Sequence, residues 1–358
     1  MPSPNLIGTA PNEDERREGL IADQGEALGL NLTDEQVASI IGNRVSEAEG
    51  WWNKELKLDS VRKQAEDAYL GNTYSADDLY EHQVPYKNNR ILTAVETLVP
   101  MITSQPAQPV VTEAQDTDES RQLAMDLGEV LLAQYEDMYL KAKLGLIARH
   151  LMVGKRIAVL KYRFDPSLGK LNSDGSRRGK TVVEVVRPEK IVFERESTDP
   201  DNIRLIAEYM TASVEELTIR FPKKKEEIYK HFGILRGVRS QIQKIVGYLE
   251  VHFTYFDDSE ESREGVAWKL GDIVLDKMQT PNWNYEEYET DDKTGNMMNL
   301  NFLDKPAKPY IIFNHLNLGK WLLDDTSLIE QAQPLQDVLN KRGRQVVENA
   351  DQAASGLV

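Results

Sequence analysis

Residues 156–188 read RIAVLKYRFDPSLGKLNSDGSRRGKTVVEVVRP, and the fold turns on the octet DGSRRGKT at 174–181. A phosphate-binding loop would need G-x-x-x-x-G-K-[ST], with an apolar strand before it and a helix after it. Consecutive backbone N–H groups then wrap the phosphates and the Lys reaches them. Here only three residues separate Gly175 from Gly179, the preceding SLGKLNS is polar, and the following TVVEVVRP has a strand pattern. The octet is therefore the basic tip of a long hairpin. Its first strand, 156–165, places Ala158, Leu160, Tyr162 and Phe164 on one face, and its second runs over 181–188.

Upstream, residues 116–153 carry Leu123, Leu127, Val130, Leu131, Tyr135, Met138, Leu144, Ile147 and Leu151 at helical spacing, ending at Gly154. This predicts one long helix with a wide apolar stripe. Before it, an apolar helix is expected over about 89–104, with Pro100 breaking or kinking it, and Pro106 and Pro109 enforcing extended backbone beyond. A helix from about Ser46 to Leu70 ends at Gly71-Asn72, and Thr33 caps a short helix over 34–42. Residues 1–32, rich in Pro, Gly, Asn and acid, read as a mobile arm.

Downstream, EKIVFERE and RLIAEYMTA are strand candidates. Ser213 with Glu216 forms a capping box for VEELTIRF, Pro222 stops that helix, and KKKEEIYKHFG is another short helix. From Gly247 the chain is β-rich: GYLEVHFTYFDD, GVAWKLGD, IVLDKM and PYIIFNHL, with an acidic loop over 280–308. Ser327 with Glu330 is a second capping box, opening a helix that Pro334 interrupts. The fold class is α+β. The expected organisation is an acidic N-terminal arm over 1–45, an α+β domain over 46–235, a β-rich region over 236–318 and a helix over 319–358.

The 358 residues are 40% hydrophobic and 28% charged, with a net charge of −16 and no Cys. The charge argues against gripping nucleic acid by phosphate neutralisation, and the lack of Cys excludes disulfides and thiolate chemistry. The N-terminal stretch has no apolar core of a signal peptide, and no apolar run reaches membrane-span length. Charge is segregated. Residues 220–246 hold eight basic against two acidic residues, and 256–304 hold thirteen acidic against four basic. Taken singly, each block fits a solvated face.

Catalytic motifs are missing: no H-E-x-x-H, G-x-S-x-G or G-x-G-x-x-G occurs. The five His are isolated; His150, without an acid or His one turn away, reads as a solvated or core histidine, and His252 and His315 fall in strands. The pairs Asp77-Asp78, Asp257-Asp258, Asp291-Asp292 and Asp324-Asp325 lie mostly in turns, where adjacent acids diverge, so a two-metal enzyme is the weaker alternative. No catalytic, cofactor-binding or metal residues are assigned, and no cofactor is expected. Trp51-Trp52 suits either a core or a contact surface, whereas Trp283, Tyr285 and Tyr288, in an acidic loop, suit contact.

The order of these elements resembles the portal (head-to-tail connector) proteins of tailed bacteriophages, the short-tailed type in particular. YKNNRILTAVETLVPMITSQPAQPVV is similar to the family's early helix with its P-x-x-x-V. LMVGKRIAVLKYRFD followed by VVEVVRPEKIVFE is similar to its hairpin. VEELTIRFP resembles its x-E-E-L-x-x-x-Y-P, and LGKWLLDDTSLIEQAQPLQDVLNKRGRQVVENA resembles its G-x-S…P-L-Q-x-x-x-N segment. Each is a packing pattern, and the likeness covers about residues 46–350. The family usually continues beyond this helix into a tunnel loop and further elements.

The resemblance implies a non-enzymatic ring, normally of twelve subunits, at a capsid vertex of the virion, assembled in the host cytoplasm. Such rings dock the terminase large subunit, pass double-stranded DNA without sequence preference, and later hold tail adaptor proteins. They also contact the major capsid and scaffolding proteins, and involve no membrane. Another virion assembly protein is the main alternative. By the same resemblance, 46–235 would form the wing and 236–350 the stem and clip. The contact loop would be Trp283, Tyr285, Glu286, Glu287, Tyr288 and Asp291, on the clip or on the outer edge of the wing. Gln336, Asn340 and Arg344 would line the ring or its channel, and Lys223, Lys224 and Lys225 would face an acidic neighbouring subunit. The hairpin tip would touch a neighbouring subunit, the capsid or DNA.

Overall fold

A computed structural model describes residues 30, 32–72, 86–104, 109–113, 115–165, 168–169, 171, 179–233, 243–256, 262–279, 288–290, 297–299, 308–315, 321–323 and 326–356. The helical N-terminal half comprises α1 (Asp34–Gly50), a π-helical turn (Trp51–Glu55), α2 (Leu58–Leu70), α3 (Arg90–Thr103), α4 (Asp118–Asp137) and α5 (Leu140–Met152). Then follow β1 (Ile157–Asp165), β2 (Lys180–Val186), β3 (Ile191–Phe193), β4 (Leu205–Ser213), α6 (Val214–Arg220) and α7 (Lys225–His231). The remainder is β5 (Ile245–Phe256), β6 (Ser262–Leu270), β7 (Ile273–Gln279), β8 (Tyr288–Thr290), β9 (Met297–Asn299), β10 (Tyr310–Asn314) and α8 (Leu328–Ala354). The fold is mixed α+β, as the sequence indicates.

The chain forms two compact units that are discontinuous in sequence. One comprises 1–47, 192–194 and 204–308; the other comprises 48–191, 195–203 and 309–358. The stretches 46–235 and 236–318 thus each contribute to both units.

The first unit is built on a five-stranded sheet, ordered β3-β4-β5-β6-β7, in which β4 to β7 pair antiparallel. Thr33 and Gln36 cap α1 reciprocally: the Thr33 Oγ1 accepts from the Gln36 N–H, and the Thr33 N–H donates to Gln36 Oε1. The helix then runs past residue 42 to Gly50. Val37, Ile41 and Val45, one turn apart, bury against Ala207, Val251, Phe253 and Ala267 of the sheet. Elsewhere in the unit, Val214, Leu217, Phe221 and Ile228 of the α6–α7 segment pack on Tyr248, Leu270 and Leu275. The predicted Ser213/Glu216 capping box is present in full.

In the second unit the hairpin forms as predicted, with Leu160 opposite Val185 and Asp165 opposite Lys180. A third strand joins it: β10 pairs antiparallel with β1, Ile157 opposite Asn314 and Lys161 opposite Tyr310. Being central, β1 buries both faces from Ile157 to Lys161. Ala158 and Leu160 pack on Ile147 of α5, and the Lys161 Nζ sits 5.3 Å from the Tyr310 ring centre. A second cluster joins Ala65 and Ala68 of α2, Ile91, Val95 and Val99 of α3, Met152 and Val153, and Ile329 of α8.

Four local expectations are corrected. The long helix over 116–153 is two helices, broken at Met138-Tyr139, where Tyr139 takes the left-handed conformation at φ 52°. The helix expected over 46–70 is interrupted by the π turn and by Lys57, at φ 48°. Pro334 lies inside a continuous α8, where it removes one backbone donor without ending the helix. Ser327 does cap Glu330, but the Glu330 carboxylate does not complete the box; it takes Arg156 in a two-pronged ion pair, Nε to Oε1 at 3.1 Å and Nη2 to Oε2 at 3.2 Å.

Candidate assembly surface

The second unit presents an apolar surface that it does not bury. Helix α4 is started by Thr117, whose side chain accepts from the Ser120 N–H, and carries Asp118 and Glu119 in its first turn, favourable to the helix dipole. Of its large apolar residues none is buried; only Ala124 is. Leu123, Leu127, Val130 and Leu131 lie exposed along one side, with Leu127 at 46% and Val130 at 52%, and Met125 and Leu132 are exposed on another. The apolar periodicity is real, but the residues it aligns are not buried in the unit's own core.

Helix α8 divides its faces more sharply. Ile329, Gln336 and Asn340 are buried, while Leu335, Val338, Leu339 and Val346 stand exposed on the other side, Leu335 at 75% and Val346 at 67%. The buried polar pair is held by the turn that starts α3. Gln336 Oε1 accepts from the Arg90 N–H at 3.0 Å, and its Nε2 donates to Asn88 O at 2.6 Å and to Asn340 Oδ1 at 3.1 Å. Asn340 Oδ1 also accepts from the Asn88 N–H at 3.2 Å. Asn89 caps α3 through the Leu92 N–H and donates to Tyr69 O at 2.7 Å, tying in the end of α2. Gln336 and Asn340 are thus turned inward onto this turn, and Arg344 is half-buried on the same helix. The outward character of α8 belongs instead to Leu335, Val338, Leu339 and Val346.

Lysines 223–225 differ from one another. Lys223 and Lys225 are exposed, and Lys225 lies over Tyr229. Lys224 is engaged within its own unit, bridging Glu227 at 3.1 Å and Asp34 at 3.2 Å; Asp34 also holds Lys277 at 2.7 Å. The hydrogen bond from Lys277, joined by that from Lys224, holds the Asp34 carboxyl below its ordinary 3.8. The bonds to Glu227 and then Asp34 raise the Lys224 ammonium. A lowered acid contributes stability above its unfolded pKa and loses it as pH falls through the folded value. Asp34→Asn is therefore expected to lower the melting temperature slightly at neutral pH, with the gap to wild type closing below about pH 4. Half-exposed groups are screened, so the gap should also shrink in high salt; a gap unchanged across pH would refute the bridge.

Trp51 and Trp52 are buried, so the pair is core. Trp51 meets Trp321 edge-on at 6.1 Å, with Arg195 over both rings, and Arg62 lies over Trp52. Burial depresses the Arg62 guanidinium to about 10. His150 is half-buried and its pKa is lowered by desolvation. His252 is buried beside Glu250, which also accepts from the Trp268 Nε1 at 2.9 Å, while His315 belongs to the other unit. Trp283, Tyr285, Glu286, Glu287 and Asp291 and the four Asp-Asp pairs lie outside the described residues, as does the side chain of Tyr288. So do residues 172–178 of the hairpin tip. Among the described residues no group of three or more His, Cys, Asp or Glu could hold a metal.

No protein-family model and no curated protein matches this chain. Among the described residues no helix is long and apolar enough to cross a membrane. A chain of net charge −16 leaves apolar side chains exposed along both α4 and α8.

Proposed function

We propose that this chain is the subunit of a portal, a closed ring at one vertex of a tailed-phage capsid through which double-stranded DNA enters and leaves. The observation that supports it is the uncovered apolar side of α4, a twenty-residue helix that buries only an alanine in its own unit. A helix so exposed is matched to a neighbour, and a ring supplies one to every subunit. The sequence resemblance supplies the kind of ring. The acidic balance suits a conduit, because DNA must slide past it without being gripped. In this role the chain catalyses nothing. It docks the terminase during packaging and tail adaptor proteins afterwards, through the acidic aromatic segment around Trp283–Asp291.

Native mass measured by mass photometry, with negative-stain images of the same sample, tests the proposal. Twelve copies of the 40.7 kDa chain give about 490 kDa. Particles near that mass with a central hole are expected, and eleven- or thirteen-fold rings would serve equally, since closure around a channel is what the role requires. A monomer or a two-fold dimer at micromolar concentration would overturn it.

A further inference from the structure

The two uncovered stripes belong to the same unit but are not alike. On α4, Leu123, Leu127, Val130 and Leu131 recur at i, i+4, i+7 and i+8, within about 100° of the helix circumference. This helix carries six acidic residues against Arg121 alone, and Glu119 and Asp126 stand exposed along one flank of the stripe. On α8, Leu335, Val338, Leu339 and Val346 share the side opposite Gln336 and Asn340. The exposed charges between Leu335 and Val346 are Asp337, Lys341 and Arg342: the basic Arg342 falls within the stripe, whereas Lys341 and Asp337 lie round the helix from it. Two α4 helices face to face would oppose acid to acid. An α4 against an α8 buries both stripes and brings Arg342 toward the acidic flank.

We propose that α4 of one copy packs against α8 of the next copy, making a head-to-tail contact between two different surfaces. The proposal rests on the ring reading and adds to it the pair of helices that closes the ring. A contact between unlike surfaces repeats from copy to copy, and it closes when the rotation per step divides a full turn. The charge pattern selects a second copy over an anionic lipid surface, which the carboxylates of α4 would repel.

The natural chain has no Cys, so single cysteines report without background. Val130→Cys and Leu339→Cys are made in separate chains, co-assembled and oxidised, and the native mass is read on the same samples. A disulfide-linked dimer is expected in the mixture and in neither variant alone. Leu127→Glu, at an exposed position, is expected to keep the wild-type circular dichroism while reducing the assembly to single chains. Rings that form without the mixed cross-link, keep both cysteines reactive to a maleimide and tolerate Leu127→Glu would overturn the α4–α8 contact and leave the ring standing. Those stripes would then serve a different protein. A cross-link in Val130→Cys alone would also overturn it, in favour of a two-fold contact. A wild-type chain that is monomeric would remove the ring and the contact together.

Discussion

Replacing Gly154 with alanine is expected to lower the melting temperature by an amount on the order of 5–15 °C. Two costs add. Gly154 has φ +79°, in the left-handed region, where a Cβ meets the following carbonyl at about 1–2 kcal/mol. The new Cβ would also stand 2.2 Å from the Cβ of Ala65, a contact no real pair shows, and Ala65 is itself buried against Met152, Val153 and Ile329. Overpacking a filled core adds about 1–3 kcal/mol, for roughly 2–5 in all. The turn cannot easily yield, because Arg156, two residues on, is anchored to Glu330 and to Leu323 O. Gly154→Ala combined with Ala65→Gly separates the two costs. Removing the Ala65 methyl relieves the clash and leaves the backbone strain, so the double variant should be more stable than the sum of the singles by about 1–3 kcal/mol. Strict additivity would mean that the close approach is not what limits residue 154.

What the sequence disclosed was local. The hairpin around the basic octet, the caps at Thr33, Ser213 and Ser327, and the stop at Gly71 depend on residues within a turn or two of each other, and all are present. What it concealed was partnership at long range. Nothing in PYIIFNHL marks it as the partner of a strand some 150 residues earlier rather than of the β-rich segment just before it. Short apolar strands carry no label for their neighbours, so the discontinuous units could not be foreseen from composition. The breaks at Lys57 and Tyr139 carry no glycine to betray a positive φ. Periodicity also fixes which side of a helix is apolar but not what that side meets. Leu123, Leu127 and Val130 form the apolar stripe the sequence predicts, yet the unit leaves them exposed. On α8, Gln336 and Asn340, which the resemblance would place along the ring or its channel, are buried, and the apolar residues beside them hold the exposed side.

That inversion makes Gln336 the residue that sets how α8 presents itself. Gln336→Leu keeps the volume and removes the amide, leaving the Arg90 N–H and the Asn88 carbonyl without their Gln336 bonds in a half-open crevice. The Arg90 N–H still donates to Asn88 O at 3.0 Å, so what is lost is the two bonds to Gln336, and a loss of about 1–3 kcal/mol is expected in denaturant unfolding. Val338→Ser, exposed on the single chain, should leave the unfolding free energy within about 0.5 kcal/mol when both are compared in the unassembled Leu127→Glu background. Gln336→Glu distinguishes lost hydrogen bonds from altered packing. A carboxylate there still accepts from Arg90 but has no proton for the Asn88 carbonyl, so burial should raise its pKa above the unfolded value. An acid raised in the folded state is stabilising below its unfolded pKa and loses that stability as pH rises through the folded one. The Gln336→Glu variant should therefore approach wild type near about pH 4 and fall away toward neutrality, whereas Gln336→Leu should be deficient at both. A Gln336→Glu chain equally stable at both pH values would mean that the amide does not hold the turn at 88–90. The inward anchoring of α8, on which the outward aim of Leu335, Leu339 and Val346 depends, would then need another source.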